Sequence, residues 1–179
     1  MPSRRAAAGG TDLPNDSALY FKLVRVVNLT ARPFVETLAL KHRLSLNEWR
    51  VMIVLASHPG RAAHEIAQAT GLDKMSVSRA IAGLTRHGRI TKRADTLDAR
   101  RTLLELNREG RRLFEAVGAS GHERELQLFA GFDAASKAHL ERLVDHLLGA
   151  LEAADAADAA ADGQTKPARP RAPRRSASA

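Results

Sequence analysis

Lys74, Ser76, Ser78, Arg79 and Arg86 are the first residues whose types and spacing suggest chemistry. They lie in LDKMSVSRAIAGLTR, residues 72–86. At about 100° per residue, Val77, Ala80, Ile81 and Leu84 gather on one side of a helix. Met75, Arg79, Ala82 and Arg86 fall on the other, with Ser76 and Ser78 flanking. Arginine forks onto guanine edges, while serine and lysine reach phosphates or bases. Small side chains between them let a helix come close. This is a face suited to a DNA major groove. A second basic group stands at Asp98-Ala99-Arg100-Arg101. Arg100 or Arg101 suits a narrow A·T-rich minor groove. Asp98 is expected to hold one of them by an ion pair. Arg93 joins the same basic set.

Several elements must position these groups. Gly71 supplies a left-handed turn between a short helix at about 62–70 and the helix at about 74–87. Asp73 caps the second helix. Ile66, Leu72, Val77, Ile81 and Leu84 are apolar where the two would cross, which is helix-turn-helix grammar. Ser45 and Glu48 form a capping box for a helix that runs to about Ser57. Ile90–Arg93 and Thr102–Leu106 flank a polar loop and read as a hairpin. Apolar residues at helical spacing mark 17–42, with a kink or boundary expected at Pro33. Two more helices are expected at about 108–130 and 134–152. The fold class is mainly α with a small β-hairpin wing: a winged helix-turn-helix with N- and C-terminal dimerisation helices. Residues 1–16 and 153–179 lack large apolar side chains and are expected to be disordered tails around a domain at 17–152.

The charge follows the same map. The chain has 179 residues and a net charge of +8. Residues 74–101 hold eight basic groups and two acids, so they account for +6 of that total. The rest of the 17–152 core is neutral, and the C-terminal tail adds +2. A basic stripe confined to one segment is an electrostatic footprint for nucleic acid. There is no cysteine, which excludes thiolate metal sites and thiol chemistry. No run of apolar residues is long enough to span a membrane. No apolar segment follows Arg4 and Arg5, so export is not expected and the location is read as cytoplasmic.

The stretch 44–110 resembles the MarR family of winged helix-turn-helix transcriptional regulators. The resemblance rests on LSLNEWRVMIVLASHPG, EIAQATGLDKMSVSRAIAGL, the Asp-x-Arg-Arg wing and the Leu-x-Leu-Asn-x-x-Gly exit at 104–110. One departure is that Arg61-Ala62-Ala63 offers no capping oxygen for the first helix of the motif. The resemblance implies that Ser76, Ser78 and Arg79 lie on the recognition helix, with Arg100 and Arg101 on the wing. It further implies a homodimer on a palindrome-like operator in double-stranded DNA, the helices 17–42 and 108–152 making the dimer. It implies a repressor released by a small aromatic or amphipathic ligand, such as an aromatic carboxylate or its CoA thioester. The absence of cysteine excludes the thiol-based peroxide sensors of that family. Candidate ligand contacts are Arg25, Asn28, Arg32, His42, Arg43, Trp49 and Arg50, because a cation beside an aromatic suits an aromatic anion.

Other functions find little support. There is no phosphate-binding Gly loop, no HExxH and no Gly-x-Ser-x-Gly, so an enzyme is not expected. His139 and His146 share a helix face, but without matched ligands they suggest no metal. No cofactor is implied. The alternative is a ligand-independent architectural DNA-binding protein, its basic tail at 166–175 adding phosphate contacts.

Overall fold

In the computed structural model, residues 18–164 are described. The tail expected over 1–16, and the chain from 165 onward, lie outside the described residues. Helix α1 (Leu19–Pro33) passes without a break into a π-helical turn (Phe34–Leu38) and a short α2 (Ala39–His42). An interior proline removes one backbone donor. Directly after Pro33 the ladder widens, and the Ala39 N–H donates to the Phe34 carbonyl five residues back. The discontinuity expected at Pro33 is therefore a wide turn within one helical run. That run stops at Arg43, whose φ of +46° is left-handed.

Helix α3 (Leu46–Ser57) starts at the expected capping box. The Glu48 N–H donates to Ser45 Oγ at 3.2 Å, and the Ser45 N–H donates to Glu48 Oε2 at 2.6 Å. Helix α4 (Ala63–Thr70) ends at Gly71, whose φ of +65° makes the tight turn. Helix α5 (Lys74–Arg86) follows, capped by Asp73. The hairpin pairs β1 (Ile90–Ala94) antiparallel with β2 (Thr102–Leu106), Ile90 facing Leu106 and Ala94 facing Thr102. The other edge of β2 bridges to Arg61 through Leu104. One core unites these elements. Met52 and Leu55 of α3, Ile66 of α4, Val77 and Leu84 of α5, Leu104 of β2 and Val117 of α6 (Arg108–Leu128) are all buried in it.

The described residues form two compact units that divide between Glu123 and Arg124. The second contains α7 (Ala134–Gln164). There Lys137 sits over the Phe129 ring, which meets Phe132 edge to face. Helix α7 continues well past Glu152, the expected end of the domain. Residues 153–164 carry no large apolar side chain, but they are rich in alanine, the strongest helix former. Intrinsic propensity extends the helix where packing does not.

Candidate nucleic-acid interface

The hydrophobic effect orients α5. Val77, Ala80, Ile81 and Leu84 are buried, and Lys74, Met75, Ser78, Arg79, Ala82 and Arg86 are exposed. This is the division the helical spacing predicts. Gly83 also faces inward, because a Cβ there would lie 1.9 Å from Glu48 Oε1. The α3 capping box thus rests directly on the backbone of α5. A cleft of about 240 Å³ beside that contact is lined by Ser45, Asn47, Ser76, Arg79 and Arg86, among others. Ser76 is partly committed, since its backbone N–H and its hydroxyl both donate to Asp73, at 2.9 and 2.6 Å. Those bonds hold the Asp73 carboxyl below the ordinary carboxylate range.

The eight cations of 74–101 do not have one fate. Arg89 is buried, and its guanidinium donates to the carbonyls of His42 and Arg43. Arg93 crosses the hairpin to Glu105 at 2.9 Å. Arg101 is half-buried at the base of the wing. Its Nη2 donates to Glu65 Oε2 at 3.1 Å, and its Nε lies 3.7 Å from Asp95 Oδ2. Lys74, Arg79, Arg86, Lys92 and Arg100 are exposed, with no ion pair among the described residues.

One wing expectation changes as a result. Asp98 does not hold an arginine by an ion pair. It accepts the Arg100 backbone N–H at 3.0 Å and so shapes the turn that presents Arg100. The carboxylates that hold a wing arginine are Asp95 and Glu65. Arg101 is therefore tied back to α4, and Arg100 is left as the cation at the tip.

Glu65 is a structural part of the candidate interface that the sequence did not single out. It stands at the start of α4, where Arg61-Ala62-Ala63 offers no capping oxygen. Its carboxylate accepts the Ala62 N–H at 2.8 Å and Arg61 Nη1 at 2.8 Å, besides Arg101. These bonds, the Ala62 N–H foremost, lower its pKa. A signal exists in its spacing: Glu65 stands three residues after the cap position, which is half of a capping box. Asn107 and Gly110 explain the Leu-x-Leu-Asn-x-x-Gly exit. Asn107 Nδ2 donates to the Gly88 carbonyl at 2.8 Å, and Asn107 Oδ1 accepts the Gly110 N–H at 2.9 Å. A Cβ at Gly110 would lie 2.1 Å from the Arg89 carbonyl oxygen.

The candidate ligand contacts are scattered. Arg25 and Asn28 are exposed on α1, and Arg32 approaches Glu36 at 4.0 Å. His42 and Arg43 offer their carbonyls to Arg89. Arg50 Nη1 donates to Asn47 at 3.4 Å. Trp49 is sandwiched between Phe34 and Phe114, with ring centroids 6.1 and 5.1 Å away. Among the described residues, no side-chain hydrogen bond, ion pair or ring contact joins one of these candidates to another, and His42 and Arg43 share only their backbone anchor on Arg89.

A capped helical pair turned at a glycine, with a charged second helix and an antiparallel wing behind it, defines a winged helix-turn-helix protein. Residues 43–101 match the model of the MarR family. The chain is 24% identical over 117 residues to the homoprotocatechuate degradative operon repressor of Escherichia coli, covering 65% of this chain and 76% of that protein. Its fold is similar to that of S. aureus MepR in complex with DNA, with a TM-score of 0.67 and 19% identity over 77% of this chain and 99% of MepR. It is similar also to Bordetella bronchiseptica BpsR, whose DNA binding is regulated by 6-hydroxynicotinic acid. That match has a TM-score of 0.67 and 19% identity over 75% of this chain and 96% of BpsR. The similar proteins are transcriptional regulators. No helix among the described residues is long and apolar enough to cross a membrane.

Proposed function

We propose that this chain is a sequence-specific DNA-binding repressor, acting in the cytoplasm as a homodimer and released from a palindrome-like operator by a small aromatic ligand. The observation that carries the DNA reading is the exposed basic face of α5. Lys74, Arg79 and Arg86 have no ion pair among the described residues and stand beside Ser78, while Val77, Ala80, Ile81 and Leu84 are buried on the opposite face. In this reading Arg79 reads base edges, Lys74 and Arg86 meet phosphates, and Arg100 enters the adjacent minor groove. Arg93, Arg101 and Asp98 act from behind by holding the wing in shape.

The dimer is supported by apolar surface. Leu19, Leu23, Val26 and Val27 of α1 are exposed, and so are Leu143, Leu147, Leu148 and Leu151 of α7. Large exposed apolar faces on terminal helices suit burial against a second copy, and two-fold symmetry then matches a palindromic site. The ligand class is supported by the regulated relatives and by the Phe34–Trp49–Phe114 stack, an aromatic surface with Arg50 on the same helix as Trp49.

Selection from a random duplex library tests the DNA reading. Recovery of an inverted repeat is expected, and Arg79→Ala is expected to relax base preference by about 1–3 kcal/mol. Binding without sequence preference would favour an architectural role. Gel-shift titration of the selected duplex with aromatic acids and their CoA thioesters tests release. Sedimentation as a monomer at assay concentration would overturn the dimer.

A further inference from the structure

We propose that Arg89 is a positioning residue for DNA recognition, fixing the recognition helix to the end of the N-terminal helical arm. The inference rests on the DNA-binding reading above. Arg89 is only 8% exposed. It follows Gly88, the left-handed residue that ends the recognition-helix segment, and it precedes Ile90, the first residue of β1. A buried site between a helix end and a strand is ordinarily filled by an apolar side chain. A guanidinium there loses hydration, and burial accordingly lowers its pKa, partly offset by the Glu48 and Glu109 carboxylates. What it gains is directional. One fork reaches the last two carbonyls of the α2 end, those of His42 and Arg43. Its own backbone is held from three sides. The Arg89 N–H donates to the Leu84 carbonyl of α5 at 2.9 Å, and its carbonyl accepts the Asn107 N–H at 3.2 Å. That same carbonyl lies against Gly110 of α6.

The residue therefore joins the C-terminal end of α2, the C-terminal end of α5 and the entry of α6 by hydrogen bonds and close packing rather than by loose contact. Arginine reaches the two carbonyls through two nitrogens of a rigid planar fork, a geometry that lysine's single rotatable ammonium does not reproduce. A shift of the N-terminal arm is thereby passed to the base of the recognition helix. Arg89 itself lies behind that helix and is not a DNA contact.

The test compares wild type, Arg89→Lys and Arg89→Met below their unfolding temperatures. The probes are the duplex recovered by selection and a scrambled duplex of equal length. Operator affinity is expected to fall about tenfold in Arg89→Met and by less in Arg89→Lys. Scrambled-duplex affinity and the salt slope should stay unchanged, because the number of phosphate contacts is unchanged. A purely structural Arg89 would lower the melting temperature and leave the operator preference of the folded protein intact, which overturns the proposal. Equal loss on both duplexes overturns it too. Amide hydrogen exchange supplies a readout without DNA. Arg89→Met should raise exchange together in the last turn of α5 and at Leu44, which donates back to Ala39. Exchange that rises at one end alone, or at neither, refutes the coupling. A wild-type chain that selects no duplex would sink the DNA reading, and the exchange data would still judge the link. If Arg89→Met does not fold, Arg89→Lys carries both comparisons.

Discussion

Gly110→Ala should destabilise this protein although alanine is the better helix former. Gly110 lies in the first turn of α6, where alanine would ordinarily gain up to about 1 kcal/mol. The added Cβ, however, would stand 2.1 Å from the Arg89 carbonyl oxygen and 3.3 Å from Leu106 Cδ2. Ordinary contact begins at 3.4 Å, so α6 and the Arg89 backbone must separate by more than an ångström. The obstacle is backbone and cannot swing aside. Overpacking of this kind costs about 1–3 kcal/mol. The separation also strains the Asn107 N–H bond to the same carbonyl, worth about 1 kcal/mol. After the gain in propensity is set against these costs, the net loss is about 1–3 kcal/mol. Urea unfolding at matched protein concentration measures it, since association would shift the midpoint by mass action. Gly121→Ala is the control within α6, because nothing lies within 4 Å of the point its new Cβ would occupy. It should be neutral or stabilising. Equal stability of Gly110→Ala and wild type, or parallel behaviour of the two variants, would refute the close approach of α6 to Arg89.

Three further outcomes are expected. Arg100→Ala should lower the slope of log affinity against log salt by about 0.9, whereas Arg101→Ala should weaken binding with that slope unchanged. Equal slopes for the two variants would refute the division of roles on the wing. Glu65 contributes stability above its ordinary pKa of 4.5, and that contribution is lost as pH falls through its lower folded value. Glu65→Gln should therefore unfold earlier than wild type at neutral pH and converge with it once acid has protonated the Glu65 carboxyl in the folded protein; a gap that persists in stronger acid would contradict the linkage. Ala62→Ser should supply the missing cap on α4 and raise stability by about 0.5–1 kcal/mol in thermal denaturation. An unchanged or lowered midpoint would show that the Glu65 carboxylate leaves no room for it.

Local rules make much of the fold legible. The Ser45–Glu48 box, the Asp73 cap, the Gly71 turn and the inward face of α5 each depend on residues within a few positions of one another. The hairpin likewise joins two strands that are close in sequence. What escapes the sequence depends on distance along the chain. Arg101 meets Glu65 across 36 positions, and Arg89 meets His42 across 47. A charge count over 74–101 treats all its cations alike, and only the tertiary structure sorts Arg89 into the core and Arg101 onto Glu65. The ion pair expected of Asp98 falls to Asp95 for a related reason. Both acids lie near the arginines in sequence, and the turn geometry decides which one faces a guanidinium. Helix α7 outruns its expected end because alanine propensity sustains a helix that apolar content alone would not. The candidate ligand residues are marked by chemical type, cations and polar groups beside an aromatic, and type alone does not say which of them share a surface.

The hairpin has two edges with different futures. The outer edge of β2 is closed by the bridge from Leu104 to Arg61, so β1 is left as the open edge among the described residues. An open edge is a template onto which another chain can add a strand. In β1 that edge reads Thr91-Lys92-Arg93, and all three are exposed. Lys92, with no ion pair among the described residues, discourages a like strand from docking beside it, whereas Arg93 is already paired with Glu105. Neutralising Lys92 would therefore carry a solubility cost that the same loss at Arg79 would not.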